Sequence, residues 1–166
     1  MSTLNKRYIG FLLLIATLAG CSKQKGFGSN YDSYNGGASP INVDNATDFR
    51  PDPTVPAKLS GDSAITITLS MGATSQRTIK EITKVATSSS YVAIQSTGST
   101  GFYPVAAIPV NGKTVTFKTT VGVYLGVYPK EKPALNTELA NRFYFRITLD
   151  DNTVIYTTPV RVLIVS

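Results

Sequence analysis

The chain has 166 residues, 16 Lys+Arg against 10 Asp+Glu for a net charge of +6, no His, no Trp and one Cys, with 42% apolar and 16% charged residues. That balance excludes disorder driven by high charge and low hydrophobicity, and a single Cys excludes a disulfide framework. Without His, neither a mixed Cys/His zinc site nor a His-based catalytic triad can form, and the length predicts one folded domain.

In chain order, a short positive region of Lys6 and Arg7 comes first, followed by the uncharged apolar run Ile9 to Leu18 and the small residues Ala19-Gly20. This order is that of a secretory signal. The run is shorter than the roughly 20 residues that a spanning helix needs. Leu18-Ala19-Gly20-Cys21 resembles the bacterial lipobox. In that family the Cys thiol receives a diacylglycerol, the peptide is cut before it, and the new amino group is acylated. The resemblance implies a signal peptide over residues 1–20 and a lipid anchor on Cys21. Each acyl chain adds roughly 0.8 kcal/mol per buried CH₂, so several chains hold a protein on a membrane where one does not. A second free thiol would invite oxidation outside the cytoplasm, which fits a chain whose only Cys is the lipidated one. Loss of residues 1–20 removes Lys6 and Arg7 and lowers the net charge from +6 to +4.

Residues 21–57 change composition. Gly, Asn, Ser, Asp, Pro and Tyr dominate, as in Gly26-Phe27-Gly28-Ser29-Asn30-Tyr31, and Pro40, Pro51, Pro53 and Pro56 punctuate the rest. No period of 2 or 3.6 survives, so the segment reads as a flexible tether after the lipidated Cys. Phe27, Tyr31, Tyr34 and Phe49 are its candidates for docking onto a partner.

Residues 58–166 carry β patterning throughout. Ala64 to Leu69 alternates apolar residues with Thr, Ile79 to Val85 mixes apolar residues with Lys and Thr, and Tyr91-Val92-Ala93-Ile94 is short and β-rich. Phe102 to Val110 is apolar but interrupted by Pro104 and Pro109, and Asn111-Gly112 after it is a strong hairpin signal. Thr114 to Thr119 returns as a strand. Arg142 to Leu149 is the clearest strand, with Phe143, Phe145, Ile147 and Leu149 on one face and Arg142, Tyr144, Arg146 and Thr148 on the other. Asp150-Asp151-Asn152 turns the chain into Thr153 to Val165, where Pro159 marks a bend or an edge. Helical turns fit only near Val121 to Gly126 and Ala134 to Ala140. About seven short strands with frequent turns predict an all-β, immunoglobulin-like β-sandwich over 58–166.

The lipobox, the polar tether and the closing strands Arg142 to Asp151 and Thr157 to Val162 together resemble small immunoglobulin-like lipoproteins of the Bacteroidota envelope. That resemblance implies an outer-membrane lipoprotein assisting transport, glycan capture or envelope assembly. Surface export in that group follows an acidic run after the lipidated Cys. Here the run is Ser22-Lys23-Gln24-Lys25, which is basic and favours a periplasm-facing anchor.

Candidate chemistry is sparse. A glycosidase needs two carboxyls facing each other across a cleft, whereas Asp150 and Asp151 are adjacent in a turn where Asp is expected for its backbone angles. They and Asn152 lack the spaced ligand set of a calcium loop. Ser88-Ser89-Ser90 supplies hydroxyls without a base, and Lys84 is the nearest candidate for one. No catalytic residue, metal ligand or cofactor is expected. Arg142, Tyr144 and Arg146 share a strand face that Arg161 can adjoin from a neighbouring strand, and guanidinium beside an aromatic suits a protein surface, a carboxylate or a phosphate. Nucleic acid is a poor match for a scattered charge of +4 outside the cytoplasm. The expectation is a non-enzymatic interaction or structural subunit of an envelope complex. The alternative is a glycan-binding lipoprotein, with Tyr91, Tyr103, Tyr124, Tyr128 and Tyr156 as a candidate platform.

Overall fold

The structure, a computed structural model, describes residues 41–49, 51–60, 62–96, 103 and 106–166. The signal segment 1–20 with Leu18, Ala19 and Gly20 of the lipobox, Cys21, the basic run 22–25 and the aromatics Phe27, Tyr31 and Tyr34 lie outside the described residues.

Nine strands and two short helices are described: β1 (Ile41–Val43), β2 (Thr54–Lys58), β3 (Ala64–Met71), β4 (Ile79–Ser88), α1 (Val92–Gln95), β5 (Ile108–Gly112), β6 (Thr114–Thr120), α2 (Val121–Val127), β7 (Arg142–Leu149), β8 (Val154–Tyr156) and β9 (Arg161–Val165). The alternation in β3 is strict: Ile65, Ile67, Leu69 and Met71 are buried while Ala64, Thr66, Thr68 and Ser70 are half-buried. Its neighbours β1 and β6 complete a three-stranded antiparallel sheet in the order β1-β3-β6. The second sheet runs β5-β4-β7-β8, also antiparallel, while β2 and β9 pair in parallel. A two-way backbone bridge joins β9 to this second sheet, because Phe143 and Val160 exchange N–H···O bonds of 2.9 and 2.8 Å. The chain crosses between sheets from β3 to β4, from β5 to β6 and from β6 to β7. That is an all-β, sandwich-like fold.

The core lies between the sheets. Ile65, Ile67, Leu69, Val115 and Phe117 from one layer meet Ile79, Ile82, Val85, Phe143, Phe145, Ile147 and Leu149 from the other. Phe117 is the contact between layers, its ring centroid 5.4 Å from that of Phe145 and 5.9 Å from that of Phe143. Tyr103 closes one side, 5.4 Å from Phe143 and 6.0 Å from Phe117. Offset and edge-on rings at such distances add to the stabilisation from area burial alone.

Several expectations are corrected. Among the described residues the strands number nine rather than about seven, and the two additional ones, β1 and β2, lie before residue 59. The sandwich includes Ile41–Val43 and Thr54–Lys58, inside the segment read as tether to residue 57, because β1 pairs with β3 and β2 with β9. Pro56 in β2 hid that strand. It is tolerated because β2 lies at a sheet edge, where a missing N–H leaves no ladder bond unmade. Phe49, within the same stretch, is 62% exposed. Tyr91 to Ile94 is not a strand: it enters α1, one helical turn closed by the Ser96 N–H to Val92 carbonyl bond. Asn111-Gly112 does turn the chain, with Asn111 at a φ of 53°. It does not make a hairpin, because β5 and β6 belong to different sheets and the turn is the corner between them. Ala134 to Ala140 forms a turn and a bridge from Glu138 to Leu163 rather than a helix.

Truncating the inter-layer ring tests this core. Phe117→Ala should lower unfolding free energy by about 3–5 kcal/mol, read by urea denaturation, whereas Val92→Ala, at a position 71% exposed on α1, should stay within about 0.5 kcal/mol.

Candidate functional site

Strand β7 places Arg142, Tyr144, Arg146 and Thr148 on the outer face of the four-stranded sheet, opposite the core-facing phenylalanines. That face is not open along its length. Helix α1 lies over it, with Ile94 buried in a small cluster with Ala86 and Tyr144. Tyr91 packs edge-on against Tyr144 with centroids 4.8 Å apart, and its hydroxyl donates to the Thr157 carbonyl at 3.0 Å. Tyr144 is 1% exposed and presents no ring to a partner. Nothing local in the sequence marks α1, which has no capping side chain and no acidic residue in its first turn. The serine run at the end of β4 is the only break that precedes it.

The four described arginines differ in what they face. Arg77 reaches Asp150 at 2.8 Å and Asp151 at 2.5 Å, and Arg142 faces Asp52 at 3.7 Å. Arg161 sits one residue beyond the Phe143–Val160 bridge, so β9 brings it beside Arg142, where its Nε donates to Glu138 at 2.8 Å. Both arginines at this end of the face are therefore neutralised. Arg146 differs. Its cross-strand neighbours are Lys84 on β4 and Tyr156 on β8, and its buried Nε has no hydrogen-bond partner. Lys84 donates its ammonium to the Ser96 carbonyl at the end of α1. Burial, and then the charge of Arg146, lower the pKa of Lys84 below its ordinary value. The other buried side-chain nitrogen without a partner is Nε2 of Gln95, the last residue of α1.

A second feature lies where α2 meets the start of β7. Thr120 caps α2 by accepting from the Val123 N–H at 3.1 Å. Tyr124, fully buried, donates its hydroxyl to Glu131 at 2.5 Å and accepts from the Asn141 N–H at 3.2 Å. The other Glu131 oxygen accepts from the Ala140 N–H. One carboxylate thus ties both ends of the loop 128–141. Beside it opens a concavity of about 490 Å³ lined by Val127, Tyr128, Pro129, Lys130, Glu131, Ala140 and Asn141.

Other candidates resolve into structural roles. Asp150 and Asp151 pair with Arg77, and hydrogen bonds from Thr153 lower the pKa of Asp151. Among the described residues no group of three metal-ligating side chains comes together. Ser88 stands four strand residues from Lys84, about 13 Å at roughly 3.3 Å per residue, so the two form no nucleophile–base pair. Of the tyrosines considered as a glycan platform, Tyr103 and Tyr124 are in the core, and Tyr91, Tyr128 and Tyr156 are half-buried. Compared with known proteins, the chain matches no family model, no curated protein and no solved structure.

Burial raises the pKa of Tyr103, Tyr124 and Tyr144 above the ordinary value, with Tyr124 raised furthest, also through its bond to Glu131. The native state holds these protons more tightly than the unfolded chain does. Their contribution is therefore complete below the unfolded pKa of about 10 and falls away as pH rises above it. Denaturation between pH 9 and 11.5 should show stability falling with pH, and Tyr124→Phe should flatten that fall while lowering stability at pH 8 by about 1–3 kcal/mol.

Proposed function

We propose that this chain is a lipoprotein anchored through Cys21, facing the periplasm from the outer membrane, and a non-enzymatic interaction subunit of an envelope protein complex. The anchoring half of this reading rests on the order of Lys6-Arg7, the apolar run and Leu18-Ala19-Gly20-Cys21. The interaction half rests on one observation: Arg146 lies on the outer sheet face in no ion pair among the described residues and with its buried Nε lacking a hydrogen-bond partner, whereas Arg77, Arg142 and Arg161 each hold a carboxylate. A guanidinium is a strong contributor to protein interfaces when a partner supplies the acceptor.

The carboxylates that are committed to the fold add support. Glu131 joins Tyr124 to Ala140, Asp44 accepts from the Ser70 hydroxyl, and Asp62 accepts from the Ala64 N–H. A carboxylate with both oxygens engaged by structural donors, as Glu131 has, is poorly suited to general acid–base work, which needs a group free to exchange a proton with substrate.

Cys21→Ser should move the protein from the membrane fraction to the soluble fraction. Membrane retention, after carbonate washing, of a Cys21→Ser protein that has been cleaved of its signal segment would refute the anchor. A pull-down of the native lipoprotein in mild detergent should recover envelope proteins, and Arg146→Glu should reduce that recovery at least several-fold. Equal recovery with Arg146→Glu would remove this face from the interface.

A further inference from the structure

We propose that the end of the sandwich carrying Leu59, Val123 and Leu135 rests on the surface of a lipid bilayer. The contact is additional to the interaction face, and it rests on the anchoring half of the proposed function, which brings the domain to a membrane.

Backbone bonds bring the three side chains to one end. The last rung of the parallel pair β2–β9 sets Lys58 opposite Val165, so Leu59 follows where β9 stops. Leu135 reaches the same end from the other side of β9, because the next residue, Asn136, donates its N–H to the Ile164 carbonyl at 2.8 Å. Val123 lies in the first turn of α2. That turn is tied to the same end, since the Val121 N–H donates to the Ser63 carbonyl at 2.9 Å and the Ser63 hydroxyl donates to the Leu59 carbonyl at 3.0 Å. Five large apolar side chains are exposed among the described residues, and these are three of them. Exposed apolar side chains gathered in one place mark a surface that meets a protein or a membrane. The apolar surface continues along α2, where Val127, one turn after Val123, forms a wall of the concavity with Tyr128, Pro129 and Ala140.

The charges at this end select lipid. Lys58, Lys130 and Lys132 are exposed there. Glu131, between the last two, has both oxygens occupied by Tyr124 and the Ala140 N–H. Asp62, which accepts from the Ala64 N–H, and the terminal carboxylate of Ser166 offset the lysines only in part. Protein interfaces are enriched in aromatic residues and Arg and depleted in Lys. Here the nearest guanidinium, Arg161, is held by Glu138, and the half-buried Tyr128 donates its hydroxyl to the Thr87 carbonyl. Leu and Val flanked by Lys suit a bilayer surface. The apolar side chains enter below the headgroups, while the lysine stems lie along that layer and hold their ammonium groups among the phosphates.

The tether allows this orientation. The chain enters the sandwich at the opposite end of β3, where Ile41 pairs with Met71. Strand β3 is about 26 Å long at roughly 3.3 Å per residue, and residues 22–40 can span up to about 60 Å. A domain held at Cys21 therefore reaches the membrane with either end.

The test reads an introduced indole, because the chain has no Trp. The purified lipoprotein is reconstituted, as Val123→Trp, Leu135→Trp or Thr74→Trp, into vesicles of phosphatidylethanolamine and phosphatidylglycerol with or without bromine on the acyl chains. Thr74 is exposed in the turn after β3, at the opposite end. Bromine quenches an indole that reaches the acyl layer. Emission from Val123→Trp and Leu135→Trp should fall several-fold on the brominated lipid, and emission from Thr74→Trp should not change. Adding Lys58→Glu and Lys132→Glu to Leu135→Trp should remove most of its quenching. If a substitution at 123 or 135 does not fold, Leu59→Trp takes its place with the same expected quenching. Equal quenching at both ends, quenching at Thr74→Trp alone, or none at any position overturns the contact. Flotation of the vesicles separates this result from the anchor: a protein that floats with unquenched indoles keeps the anchor and loses the contact. A purified protein with a free thiol at Cys21 loses the anchor instead. Coupling that thiol, the only one in the chain, to a maleimide lipid then lets the same quenching decide the contact.

Discussion

Strand β7 is the constraint on which the rest of the structure depends. Its inner face contributes Phe143, Phe145, Ile147 and Leu149 to the core, and Phe117 on β6 packs against the first two across the gap between sheets. Its outer face is covered too, through Tyr144 beneath α1. A strand buried on both faces has little freedom to shift register, because a slip of one residue would drive Arg146 into the core and Phe145 out of it. Everything attached to β7 inherits that fixity. It pairs with β4 along eight rungs and with β8 through a tight turn, and it meets β9 at the Phe143–Val160 bridge. The loop 128–141 reaches it through the Tyr124–Glu131 bond.

The same strand explains why the polar face can hold charged side chains at fixed positions. Arg142 and Arg161 arrive side by side because β9 leaves the bridge at that point, and each meets an acid from a different loop, Asp52 and Glu138. Exposed pairs of this kind contribute about 0.2–1 kcal/mol each. Their effect is to balance charge at that end of the sheet more than to stabilise the fold. Arg146, two residues along β7 from the covered Tyr144, has Lys84 opposite it and a buried Nε without a hydrogen-bond partner.

How much of this the sequence reveals depends on the range of the interaction. The faces of β7 are readable because alternation of Phe and Ile with Arg, Tyr and Thr is a local pattern, and so is the Asp150-Asp151-Asn152 turn, where Asn152 adopts a φ of 67°. The helical turn at α2 is readable for the same reason. Strands β1 and β2 are not, because three residues and a proline-containing five carry too little periodicity, and both exist only through partners distant in the chain, β3 and β9. The corner at Asn111-Gly112 has the residues of a hairpin, and only the competition between β4 and β3 for the flanking strands sends them to separate sheets. The residues of α1 favour a strand by composition. They form a helical turn that buries Ile94 against Ala86 and Tyr144, a contact with strands distant in the chain.

The candidate site divides along the same line. Its residue types could be read on one strand, since Arg142, Tyr144 and Arg146 share a face by period alone. The role of each could not, because it is fixed by what the other chain segments place against it. Asp52 comes from the loop before β2, Glu138 from the segment before β7, and Ser96 and Gln95 from the turn of helix over the sheet. Those segments neutralise two arginines and cover the tyrosine between the strand's arginines, and they leave one guanidinium beside an ammonium. A neutral side chain at 146 would satisfy the sheet without repulsion from Lys84 and without an orphaned Nε. Arginine at 146 thus costs the sheet a repulsion and a buried donor, a cost that the proposed interaction face would offset with an acceptor supplied by a partner.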